Sequence, residues 1–294
     1  LKETSAVLPI VFGILTSLCF ALASLLAQRG YHLAAAPWGA WITLVGNSLF
    51  LLSFHFLLHA DTRLFVADNL IFVAVGLFVP GVTRVLSFHG IRTIGSGITS
   101  TIINTTPMFS TLLAMMLLGE RPGPLVLAGV MMTVGGLVTV SWTGERVLWR
   151  RTELIYPFLC PLIFAMKDVT VRWGLGGGEA QPTLAAAIAA LTSTAEIFAI
   201  TRFIQRRKFS LPPLNVVRWF FWSGICTGAS FLFMYLAFSM ERVSIVSPLI
   251  NSYSVLVLIL TPWMARRIES LTARKILGAT MVVAGIFLIS LGKD

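Results

Sequence analysis

The sequence states one long segment twice. Residues 94–142 read IGSGITSTIINTTPMFSTLLAMMLLGE and then RPGPLVLAGVMMTVGGLVTVSW, and a related segment closes the chain. Ser100-Thr-Ile-Ile-Asn104 returns as Ser247-Pro-Leu-Ile-Asn251, 147 positions on. Glu120, Gly129 and Gly136 return as Glu269, Gly278 and Gly285, 149 positions on. Upstream, Phe20-Ala21 and Gly30 match Phe164-Ala165 and Gly174 at 144, and Gly81 matches Gly228 at 147. The slow growth of the offset is what small loop insertions in a duplicated chain produce.

The repeated unit is built from apolar runs long enough to cross a bilayer. Only 12% of the 294 residues are charged, about half the share of a soluble domain. Runs of about 20 residues fit helices rather than barrel strands, which need about 10 and alternate. Ten spans are expected: 6–27, 37–58, 69–88, 94–118, 124–142, 154–173, 183–204, 217–238, 244–265 and 275–291. The first exceeds a signal-peptide core in length and is read as a span. The halves are residues 1–148 and 149–294, with five spans each. Five is odd, so the second half enters the membrane from the opposite side. The expected fold is all-α and integral to the membrane, with ten transmembrane helices in two inverted five-helix repeats around a central cavity.

Charge is uneven. The chain carries a formal +10. In a membrane chain this reads as loop charge rather than as a nucleic-acid surface. The odd-numbered links hold 14 Lys/Arg with their flanks, and the termini and even-numbered links hold 6. The positive-inside rule then places the odd links in the cytoplasm and both termini outside. Cys19, Cys160 and Cys226 lie within apolar spans with no CxxC or paired histidine, and read as small packing residues.

Candidate chemistry concentrates where the repeat is strongest. Ser100 and Asn104 share a face of span four, and Asn104 sits about 15 Å into the bilayer. Ser244, Ser247 and Asn251 share a face of span nine. Pro107 and Pro248 interrupt the backbone beside these stripes and would free the carbonyls of Ile103 and Ser244. Polar stripes beside broken backbone, at mid-depth in both halves, mark a binding site or hydrogen-bonded glue between helices. Charges that fall inside spans each need an account. Arg84 can snorkel, and Asp168 and Arg172 can pair at i, i+4. Lys167 can snorkel or line the cavity, and Glu196 has no partner at helical spacing. Asp168 and Glu196 are the coupling candidates. Phe20, Phe164, Trp222, Tyr235 and Tyr253 would line the path of an apolar side chain or pack the bundle. Gly81 and Gly228 join Pro107 and Pro248 as hinge points. No metal-ligand spacing and no cofactor motif is present.

With the repeat, LLGERPGPLVLAGVMMTVGGLVTV and RIESLTARKILGATMVVAGIFLIS resemble the ends of two EamA domains of the drug/metabolite transporter superfamily. The resemblance covers nearly the whole chain. It implies a multi-pass carrier in the cell membrane (the inner membrane in a bacterium), monomeric, exporting small metabolites, most often amino acids, by alternating access. It also implies cytoplasmic termini, opposite to the charge count. The alternatives are a proton-coupled drug pump and a phosphate-ester exchanger. The superfamily's four-span cousins use a glutamate in helix one, and residues 6–27 contain no acid. An exchanger would need several cavity-facing Lys/Arg, and only Lys167 and Arg84 offer themselves. A membrane enzyme would need clustered carboxylates, histidines or a nucleophile–base pair, and none is visible.

Overall fold

The computed structural model describes residues 2–34, 36–59, 69–142, 154–177, 180–264 and 272–292, and the expected boundary at 148/149 lies outside them. Among the described residues every regular element is helical. We number the spans α1 (Lys2–Leu33), α2 (Gly39–Leu58), α5 (Pro124–Ser141), α6 (Ile155–Gly176), α8 (Leu214–Met240) and α10 (Ala273–Leu291). Two more carry wide π-type turns. α3 runs Leu70–Leu77, then the turn Phe78–Val82, then Thr83–Ile94, and α7 runs Pro182–Ala199 and then Ile200–Ile204. The last two are broken: α4a (Ser96–Ile103) with α4b (Thr106–Leu117), and α9a (Val243–Asn251) with α9b (Tyr253–Met264).

Local sequence accounts for several ends. Pro124 and Pro182 open α5 and α7, where a missing N–H costs nothing. Thr272 caps α10, its hydroxyl accepting from the amide of Lys275. Gly95 takes φ +90°, which turns α3 into α4 without a loop. Among the described residues eight helices are long and apolar enough to cross a membrane. The two that fall short are α4, broken in the middle, and α6, which carries Lys167, Asp168 and Arg172.

The main packing contacts recur when the halves are exchanged, while α8 also packs on α7 without a comparable α3–α2 contact among the described residues. Helices α2 and α7, α4 and α9, and α5 and α10 are equivalent pairs, and each pair packs against itself. α1 packs on α8 and α9 as α6 packs on α3 and α4, and α2 packs on α8 as α3 packs on α7. A contact map with this symmetry, in halves of five spans, is that of inverted repeats about an axis in the membrane plane.

The repeat glycines sit on that axis. A Cβ on Gly129 would stand 2.6 Å from the carbonyl oxygen of Gly285, and one on Gly136 would stand 2.6 Å from that of Gly278. A Cβ on Gly278 would in turn meet the Gly136 carbonyl at 2.7 Å. α5 and α10 therefore meet backbone to backbone, the way small residues join helices where lipid supplies no hydrophobic drive. Gly46 and Gly224 do the same between α2 and α8, where a Cβ on Gly46 would lie 2.8 Å from the Phe221 carbonyl. Gly136→Ala should destabilise the protein by about 1–3 kcal/mol through overpacking, read as earlier thermal unfolding in detergent. Gly176→Ala, with nothing within 4 Å of its Cβ position, should leave the transition in place.

Candidate functional site

The two breaks fall at the same repeat position. Asn104 and Thr105 take ψ of −3° and −1°, and Ser252 takes ψ −7°. The prolines do not correspond: Pro107 opens α4b, while Pro248 lies inside α9a. What corresponds is a hydroxyl after the asparagine. Thr105 Oγ1 donates to the carbonyl of Ile102 at 2.6 Å, and Ser252 Oγ to that of Leu249 at 2.6 Å. Thr106 Oγ1 closes the carbonyl of Ile103 at 2.6 Å. The Ile103 carbonyl, expected to be free for a ligand, is thus taken by its own segment, because an unpaired carbonyl in hydrocarbon costs several kcal/mol.

Breaking α4 and α9 brings α6 to the middle. Asp168 of α6 is buried, and its Oδ2 accepts from Ser110 Oγ of α4b at 2.8 Å and from Ser247 Oγ of α9a at 2.9 Å. Its Oδ1 pairs with Lys167 Nζ at 2.6 Å. The expected pair with Arg172 is replaced: Arg172 Nη1 donates to the carbonyls of Phe238 and Ser239, at 2.7 and 3.0 Å. It lies at the end of α6, where the last turn of α8 offers carbonyls that no helical N–H reaches. Lys167 has donors to spare, its other contacts being the weak acceptor Met234 Sδ at 3.4 Å and the Phe238 ring at 5.9 Å.

A cavity of about 340 Å³ lies over this group, between the halves. That size suits a small metabolite. Its polar lining includes Lys167, Asp168, Asn251, Thr43, Thr227 and Arg84, and its aromatic lining is Phe20, Tyr31, Phe164, Phe231 and Tyr253. Phe20 meets Phe231 and Tyr253 at ring separations of 5.8 and 5.9 Å. Asn251 turns its Nδ2 back onto the Ser247 carbonyl at 2.8 Å. Its Oδ1 has no hydrogen-bond partner among the described residues. A side groove lined by Ser100, Asn104, Ser141, Ser254 and Lys275 shares Ser24, Ile103 and Tyr253 with the cavity.

The cavity opens toward one face. Tyr31, Ala40 and Arg84 belong both to it and to a vestibule that continues to Pro37, His89, Arg92 and Gln205, at the odd-numbered links. At the other face a separate pocket lined by Glu120 and Arg172 shares no residue with the cavity, and ties between the halves close the cavity on that side. The Glu120 carboxylate accepts from the Val243 amide at 2.7 Å, the Ser244 amide at 3.1 Å and Ser244 Oγ at 2.7 Å. It thereby caps the N-terminus of α9a from the other half, where the helix dipole favours an anion. The Arg172 bonds to α8 lie on the same face.

The sequence-derived candidates separate accordingly. Asn251, Phe20, Phe164, Lys167 and Asp168 line the central cavity, and Ser247 stands behind it on Asp168. Asn104 and Ser100 line the side groove, where Asn104 Nδ2 donates to Ser141 Oγ at 2.5 Å. Ser244 is held by Glu120 at the closed face. Tyr235 is fully buried outside the cavity lining, its ring against Phe72 of α3 and Phe231 of α8, and Trp222 is 58% exposed on the outer surface. Both lie on α8, whose length of apolar residues hides which face looks inward. Of the hinge candidates, Gly81 lies in the wide turn of α3, and Gly228 accommodates Phe50 within an unbroken α8. Ser110 and Phe231 were not singled out: a serine and a phenylalanine in apolar helices carry no sign of what they face. No group of three or more His, Cys, Asp or Glu among the described residues could hold a metal ion.

Asp168→Ala should cost about 3–5 kcal/mol of stability, because it leaves a buried ammonium without its counter-ion. Replacing both partners, as Lys167→Met with Asp168→Leu, should recover much of that loss in detergent unfolding.

The comparisons with known proteins agree with this architecture. A search of curated protein sequences finds no match. A solved crystal structure shares the fold over 97% of both chains, with a TM-score of 0.80 at 15% identity. The model of the EamA-like transporter family matches residues 7–142 and again 152–291. Two matched domains, in the halves that the packing symmetry relates, place the chain in the EamA-like transporter family, as a multi-pass membrane transporter of small molecules.

Proposed function

We propose that the protein exports small amphipathic metabolites, foremost amino acids with apolar or aromatic side chains, by alternating access. The observation that carries this reading is one cavity with an ion pair and an amide on its floor and aromatic rings on its walls, open to one face and tied shut at the other. A zwitterion suits a floor on which Lys167 and Asp168 already balance. Its carboxylate would meet the Lys167 ammonium and its amino group the Asn251 oxygen, with the side chain among Phe20, Phe164 and Phe231. The two halves would exchange open and closed faces by moving about the breaks in α4 and α9 and the turn in α3. A phosphate ester is the second reading, favoured by Arg84 and Lys167 sharing the lining and opposed by Asp168 beside Lys167. By the charge count the open face is cytoplasmic.

Proteoliposomes loaded with unlabelled amino acid should take up labelled amino acid by saturable exchange. Asn251→Ala and Lys167→Ala should each reduce exchange about 10-fold or more, the worth of a hydrogen bond to a charged group. Asn104→Ala should reduce it less, since its amide faces the side groove. Exchange at wild-type rates in both Asn251→Ala and Lys167→Ala would reject this site, and exchange of phosphate esters alone would favour the second reading. With the three native cysteines replaced, a cysteine at Arg92 should react with a membrane-impermeant thiol reagent from the cytoplasmic side. Reaction from outside would reverse the orientation.

A further inference from the structure

The carboxylates inside the spans are not equivalent. Asp168 has its acceptors filled by Lys167, Ser110 and Ser247. Glu196 of α7 is different. Its carboxyl takes a backbone hydrogen bond from Gly81, but its Oε2 is buried with no hydrogen-bond partner. It lies directly against the wide turn of α3. A Cβ on Gly81 would overlap the Glu196 carboxyl group, so only glycine leaves room for it there. In that turn Val79 leaves helical geometry at φ −133°, ψ 120°. Ser193, one turn before Glu196, anchors the region, its hydroxyl 2.9 Å from the Gly76 carbonyl and 3.0 Å from that of Val79.

The place matters as much as the missing partner. Val79 and Pro80 line the central cavity, while Gly81, Ile197 and Thr201 line the vestibule. Glu196 therefore backs the strip of wall between cavity and mouth, on the α3 segment best able to bend. Of the elements packed on α7, α3 brings Arg84 at the next position along its face, and α8 brings Cys226 and, near its start, Arg218. α2 brings His55 at its far end, bonded to Thr183 Oγ1 at 2.8 Å. α7 itself carries Arg202 beyond Glu196.

We propose that Glu196 is a proton-binding site that is loaded and unloaded as the α3 turn moves, and that it couples export to a proton gradient. The inference rests on the transport reading above. When the turn exposes the carboxyl to the outer side, water there gives a proton to the carboxylate. The neutral acid is carried while the wall is closed, and the proton returns to water in the vestibule, so that proton and substrate cross in opposite directions. No bond to the substrate forms. A buried carboxylate oxygen with no donor is costly, and movement of a turn that touches the carboxyl alters that cost.

Two experiments on the full chain test this. In detergent, dicyclohexylcarbodiimide, which reacts with protonated carboxyls in apolar surroundings, should label Glu196 by peptide mass spectrometry, less as pH rises. Absence of label there, with other carboxyls labelled, overturns the proposal without touching the transport reading. In proteoliposomes, a pH gradient should drive labelled amino acid to the acidic side, up to about tenfold per pH unit for one proton per substrate. Glu196→Gln should abolish that accumulation and keep amino-acid exchange. Gly81→Ala, which displaces the carboxyl, should weaken it. Exchange by the wild type without accumulation, or accumulation retained in Glu196→Gln, overturns proton coupling at Glu196. No amino-acid exchange by the wild type overturns the transport reading, and the labelling then judges Glu196 alone.

Discussion

A lipid bilayer offers no water to a backbone, so a span can be interrupted only if the interruption hydrogen-bonds to itself. The whole centre of this protein depends on meeting that condition twice. Thr105 and Ser252 sit at the same repeat position, just after an asparagine, and each closes the carbonyl three residues earlier. With those carbonyls satisfied, α4 and α9 can break in mid-membrane. The breaks let Ser110, Ser247 and Asn251 converge on α6. A continuous α4 and α9 would leave the Asp168–Lys167 pair without the hydroxyls that fill its acceptors.

The fold is symmetric, but the chemistry is not. α5 and α10 meet through the same pair of glycines in each direction, and the main helix contacts recur between halves. Asp168, however, corresponds to Ser24, 144 positions earlier. Only one half carries the acid, so only one crossing point has a charge to organise it. The faces differ as well. Glu120 and Arg172 hold α9a and α8 at one face, while the other opens through the vestibule of Tyr31, Arg84 and Arg92. A symmetric scaffold occupied unequally in this way supports the alternating access proposed above, because the same contacts can be traded between faces.

Much of the architecture was legible because bilayer thickness converts composition directly into spans, and an odd number of spans per repeat dictates inversion. The two helices that fall short of simple span criteria, α4 and α6, are the ones that hold the centre. Polar and broken segments weaken a hydropathy signal where chemistry is concentrated. The polar stripes of Ser100–Asn104 and Ser247–Asn251 lie on the two broken helices. Their prolines pointed to the breaks for an incomplete reason: Pro107 and Pro248 are not repeat-equivalent, and the Asn-Thr and Asn-Ser pairs are. Spacing along α6 suggested Asp168 with Arg172. Neighbouring Lys167 takes the carboxylate instead, and Arg172 goes to the end of α8.

The sequence by itself determined the number of spans, their division into two related halves, and the segments in which polar groups reach mid-membrane. These follow from apolar run length and from residues repeated at a near-constant offset, both one-dimensional properties. Tertiary structure decided which equivalent residue meets which space. Asn251 came to the cavity and Asn104 to a side groove, Ser244 to the closed face, and Trp222 to the outside. Those outcomes depend on the rotation of each helix about its axis, and packing against neighbours from the other half sets that rotation.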